Sequence, residues 1–181
     1  MKSLFALLLV VSSLSPAAHA ADSTVAFYFG KVTYLEEGKA PAYAVSLVKR
    51  EVIPAENKIM ETVVEKDDEK AEEYPTLLVR VGTTNSFELL IKDFPMKGVM
   101  NFSGPEWNWD AWTYDFVLTL PHVTQLIRGT GAITAANHVE TSKVIEFLAP
   151  GKNPVRIKRT EDLEPVTEVF YGTKRAELLG K

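Results

Sequence analysis

Residues 112–120 alternate without a break. Trp112, Tyr114, Phe116, Leu118 and Leu120 share one face of an extended chain, and Thr113, Asp115, Val117 and Thr119 share the other. Such a strand buries one face and leaves the other against water, which is the habit of an antiparallel sheet. The same period of two recurs along the chain. Val25, Phe27 and Phe29 alternate with Ala26, Tyr28 and Gly30, and Tyr43, Val45 and Leu47 open a run to Ile53. In residues 59–66, Ile59, Glu61, Val63 and Glu65 oppose Met60, Thr62 and Val64. Further runs over 76–81, 86–94, 96–103, 123–134, 138–148 and 155–160 are punctuated by turn-forming segments such as Pro54-Ala55-Glu56-Asn57, Gly82-Thr83-Thr84-Asn85 and Pro121-His122.

Short strands at such regular spacing predict an all-β fold, a single antiparallel meander closed or nearly closed into a barrel of about 8–10 strands. Nothing alternates helix with strand, which argues against a doubly wound nucleotide-binding sheet. The pattern changes near the C-terminus. Pro165 suits a first helical turn, Val166, Val169, Phe170, Thr173 and Ala176 follow helical spacing, and Gly180 suits a stop. This predicts a helix over 165–179, with a strand through Thr167, Val169 and Tyr171 as the alternative. The charge run 66–73, KDDEKAEE, reads as a solvated loop, with a mobile lid over a cavity as the alternative.

Residues 1–20 read as a secretory signal peptide. Lys2 is the positive start, residues 4–11 form a short apolar run, Pro16 breaks it, and Ala18-His19-Ala20 fits the small-x-small cleavage rule. The expected mature chain is then a single domain over 21–181. No other stretch approaches the roughly 18 apolar residues of a membrane-spanning helix. An exported chain with no cysteine holds its fold without disulfides, which suits the periplasm of a Gram-negative bacterium. A formal charge of −4 argues against nucleic acid as a partner. Lys49, Glu51, Glu61, Glu65, Glu88 and Lys92 are expected on outward strand faces, which disfavours a lipid-facing barrel.

A signal peptide, a β-meander of this length and a terminal helix together resemble the lipocalin-like calycin barrels in architecture. Gly30-Lys31-Val32 stands where that family carries Gly-x-Trp near its first strand, with valine in the tryptophan's place. The resemblance implies a closed barrel with an apolar cavity that holds one small hydrophobic ligand.

All three tryptophans, Trp107, Trp109 and Trp112, fall within six positions. In one continuous strand Trp107 and Trp109 would face away from Trp112 and Tyr114; a capping box at Ser103-Gly104-Pro105-Glu106 would instead allow a helical turn. Trp107, Trp109, Trp112, Tyr114 and Phe116 are the candidate ligand-binding residues. The favoured function is a periplasmic or secreted carrier of a small hydrophobic molecule. The alternatives are a carbohydrate- or envelope-binding module that stacks sugars on the tryptophans, or a structural protein in which they plug the barrel. Arg80, Arg128, Arg156 and Arg159 are expected to point outward and pair with acids across the sheet. Two arginines pointing inward would hold a carboxylate head group. His122 and His138 sit at turns without metal-ligand spacing, so no metal is expected. Gly129-Thr130-Gly131 lacks the lysine of a phosphate loop and reads as a bulge or bend. No cofactor motif or catalytic motif stands out.

Overall fold

The computed structural model describes residues 23–90, 96–103 and 110–180. Among them lie ten strands: β1 (Thr24–Glu36), β2 (Ala42–Ile53), β3 (Lys58–Lys66), β4 (Ala71–Arg80), β5 (Ser86–Leu90), β6 (Met96–Ser103), β7 (Ala111–Leu120), β8 (Val123–Ile133), β9 (Val139–Leu148) and β10 (Val155–Pro165). Each pairs antiparallel with its sequence neighbour, and β1 pairs with β10 to close the barrel. One helix, α1 (Glu168–Leu179), follows. The expected meander, barrel and terminal helix are all present.

Strand parity sets the interior. Trp112, Tyr114, Phe116 and Leu118 of β7 point inward, as the alternation predicts, while Thr113, Asp115 and Thr119 are exposed. Aromatic side chains pack together near one end of the barrel, from the start of β5 and β7 and the end of β6. Phe87 and Phe102 meet edge to face at 5.4 Å, and Phe102 lies 6.0 Å from Trp112. Trp112 is only 1% exposed. Its strand partner is Gly131, where a Cβ would fall 2.3 Å from the indole. A glycine is therefore needed there so that the ring can lie across β8. Of the bulge or bend expected at Gly129-Thr130-Gly131, the bulge is absent: β8 pairs without interruption with both β7 and β9. Gly131 makes room for the Trp112 ring, and Gly129 for the close approach of the β9 backbone at Ser142 and Lys143.

A second apolar cluster lies outside the barrel. Leu47 and Val64, on the outer faces of β2 and β3, are fully buried under Tyr171 and Leu178 of α1. Phe27 meets Tyr171 in a tilted contact at 5.0 Å, and Arg175 grips Glu73 of β4 through two hydrogen bonds of 2.6 and 2.7 Å. Twelve residues make a marginal helix in isolation, so this packing holds α1 in place. Its start is later than the sequence suggests. Pro165 is the last residue of β10, paired with Tyr28, and Thr167 is the N-cap, accepting from the Phe170 amide at 3.2 Å. Gly180 ends the helix in the left-handed conformation at φ 67°, as expected. The buried face also differs. Val169 is 80% exposed, because the seven-residue spacing of Tyr171 and Leu178 wins the contact with the barrel.

The middle of the charge run, 67–70, is the expected solvated loop, but the ends of the run belong to strands. Lys66 ends β3, and Ala71, Glu72 and Glu73 open β4. The turn between them is tied by the Asp67 carboxylate, which accepts the amides of Glu69 and Lys70, each at 2.8 Å. These amide bonds, that from Lys70 first, hold the Asp67 carboxyl below its usual range.

Candidate functional site

The barrel interior holds a partly open cavity of about 740 Å³. Its walls divide by strand. From β5 to β8 the lining is mainly apolar, with Leu89, Met100, Phe116, Leu118 and Ile127, and β4 adds Leu78 and Thr76 together with Glu72 and Glu73. From β3 through β2, β1 and β10 to β9 it carries three acids and three cations: Glu61, Glu65, Arg50, Arg159, Glu161 and Lys143. The two halves face each other across the interior.

The charged wall is built by register. Tyr34, Arg159 and Lys143 are successive partners across β1, β10 and β9. Arg159 is 4% exposed and lies between two carboxylates: its Nη2 is 2.5 Å from Glu65 and its Nη1 is 2.5 Å from Glu161. Its Nε donates to the Tyr34 hydroxyl at 3.1 Å, and that hydroxyl donates to Glu65. Glu161 also accepts from Thr141 and has Lys143 Nζ at 3.7 Å. Burial alone would raise the Glu161 carboxyl, but Lys143 and Arg159 outweigh it and hold the group at about 2. Burial pushes the Tyr34 phenol up to about 12 against the pull of Arg159. Burial also lowers Lys143, and the surrounding acids only partly offset this.

Arg50 and Glu61 form a second pair, with Nε donating at 2.6 Å. The guanidinium sits over Trp112, its Cζ 4.9 Å from the ring. Lys143 lies over Tyr114 at 5.3 Å from the ring centre. Gly129 stands between Tyr114 and Lys143 in the register, which clears the path.

Among the sequence candidates, Tyr114 and Phe116 line the cavity. Trp112 forms part of that aromatic cluster beneath Arg50 and is not a surface stacking platform. Trp107, Trp109, the capping-box residues 104–106 and Lys92 lie outside the described residues. Glu61 and Glu65, expected outside, face inward, because β3 is covered on both sides, by α1 outside and the cavity inside. Arg159 also points inward, whereas Arg128 and Arg156 pair with Asp115 and Glu146 on the outer surface. Arg50 and Lys143 are additional site residues. Their parity with Val48 and Val52, and with Thr141 and Ile145, is the signal that places them inside. His138 bonds to Asp162 at 3.3 Å, and no group of ligands for a metal occurs among the described residues.

A comparison with protein-family models finds no match, and neither does a comparison with the curated proteins. Among solved structures, the chain is similar to the S-type phycobiliprotein lyase CPES from Guillardia theta, with a TM-score of 0.54 and 9% identity over 80% of this chain and 89% of that one. At that identity the likeness is one of fold alone.

Proposed function

We propose that this chain is an exported, non-enzymatic carrier that holds one small hydrophobic molecule inside its barrel. The observation that carries this reading is the 740 Å³ interior with a mainly apolar wall from β5 to β8. A filled core would have no such space, and the volume falls within the roughly 300–1,000 Å³ of small-molecule sites. Tyr114 and Phe116 contact the ligand, and residues 1–20 act as a signal peptide that delivers the chain to the periplasm. The fold shared with a phycobiliprotein lyase is compatible with a ligand-holding barrel.

The test is native mass spectrometry of the mature protein purified from its own compartment, with a solvent extract analysed in parallel. A stoichiometric apolar molecule is the expected result. A clean apo mass, together with no binding of the neutral probe N-phenyl-1-naphthylamine, would sink the proposal.

A further inference from the structure

The charged wall is unevenly satisfied. Each of its acids has a donor: Glu61 is held by Arg50, Glu65 by Arg159 and Tyr34, and Glu161 by Arg159 and Thr141. Arg159 has an oxygen within 3.1 Å of each of its three nitrogens, although its Nη1 makes no hydrogen bond. Arg50 is 8% exposed, and its Nη1 is likewise buried with no hydrogen-bond partner. Lys143 reaches its nearest carboxylate at 3.7 Å, beyond hydrogen-bond distance, and otherwise rests on the Tyr114 ring. Thr76, in the same cross-strand row as Arg50 and Glu61, also has a buried hydroxyl without a partner.

The unmet capacity is thus on the donor side, and two of the donors are cations. Leaving a buried donor unpaired costs free energy that an acceptor recovers. Tyr114 links the two cations: Lys143 lies over its ring, and Arg50 interacts with it electrostatically. Both cations face an interior whose opposite wall is apolar. That arrangement is made for a molecule with a long apolar body and a compact acceptor at one end.

We infer that Arg50 and Lys143 form a head-group site, and that the ligand is an amphiphile carrying a carboxylate accepted by Arg50 Nη1 and Lys143 Nζ. Its apolar body lies along Leu89, Met100, Phe116 and Leu118. The inference rests on the carrier reading and deepens it. Arg159 is a positioning group here: it lies 2.5 Å from both Glu65 and Glu161, while Lys143 meets Glu161 only at 3.7 Å.

The experiment is displacement of N-phenyl-1-naphthylamine by dodecanoate and by methyl dodecanoate, which share the chain and differ in the charge of the head. Wild-type protein should prefer the acid by about tenfold or more, as expected for a charge-assisted hydrogen bond. Two variants locate the effect. Lys143→Met removes one cation. The paired change Arg50→Met with Glu61→Met removes the other without leaving a lone buried charge. Each should reduce the preference toward unity, lowering the acid's affinity more than the ester's. Equal affinity of wild-type protein for acid and ester overturns the head-group site while the carrier reading stands. A preference that survives in both variants also overturns it. Binding of neither ester nor probe overturns the carrier reading itself.

Discussion

Replacing Glu161 by glutamine should destabilise the protein by an amount that depends on pH in a calculable way. The carboxyl falls from 4.5 to about 2 in the fold. At about 1.4 kcal/mol per pH unit, that difference amounts to about 3 kcal/mol of stability at neutral pH. The sign follows from a depressed acid. Above pH 4.5 the carboxylate is charged in both folded and unfolded chains, and its full contribution is present. As pH falls from there toward 2, the unfolded chain takes up the proton first, and the contribution drains away. By pH 3 about 1 kcal/mol should remain. Glutamine keeps an acceptor for Thr141 and nearly the same volume, so the charge is the main thing lost. The assay is urea unfolding of wild-type and variant proteins at pH 7 and pH 3, followed by tryptophan fluorescence. With a slope of about 2 kcal/mol per molar urea, the midpoints should differ by about 1.5 M at pH 7 and by about 0.5 M at pH 3. A difference equally large at both pH values would show that shape, and not the pairing with Arg159 and Lys143, is what Glu161 contributes.

Other outcomes follow from the packing. Gly131→Val places a side chain where the Trp112 indole lies, so it should prevent folding or release the ring; a native near-ultraviolet circular dichroism spectrum would contradict this. Leu178→Ala opens a hole between α1 and the outer faces of β2 and β3 and should cost about 2–5 kcal/mol in denaturant unfolding. A loss below about 1 kcal/mol would mean that the helix docks through Tyr171 and Arg175 alone. Phe116→Arg puts an extra charge on the apolar wall and should abolish binding of N-phenyl-1-naphthylamine, whereas Lys49→Glu on the outer surface should leave it intact. Unaltered affinity in a folded Phe116→Arg protein would place the ligand elsewhere.

The barrel was legible because its strands obey one rule of alternation and its turns carry the residues that turns need. β7 is the clearest case: the face that looks apolar in the sequence is the face that lines the interior. The charged wall was not legible for the same reason in reverse. Alternation says which residues share a face but not which face is inside, and Glu61 sits in step with Ile59 and Val63 either way. Only cross-strand pairing, between residues as distant as Tyr34 and Arg159, turns these charges into mutually satisfied groups that an interior tolerates. The same lack hid the true length of β10. Glu161, Asp162 and Glu164 look like a solvated tail until Thr141, Lys143 and β1 are beside them. The helix face was misread because Val169 is more apolar than its surroundings, whereas the docking surface of Leu47 and Val64 selects Tyr171 and Leu178.

The seam between β1 and β10 sets an order on how this molecule comes into being. Nine strands can add one after another by hairpins, each next to the one just formed. The tenth must find the first, and residues 125 positions apart in the chain, Arg159 and Tyr34, meet across that seam. Until it closes, β1 presents a bare edge, Leu47 and Val64 have no helix over them, and Glu65 has no Arg159. A partly synthesised chain thus has most of its sheet but no sealed interior. Pairing between elements this far apart in the chain is slow to form, so the interior is complete only once β10 has met β1.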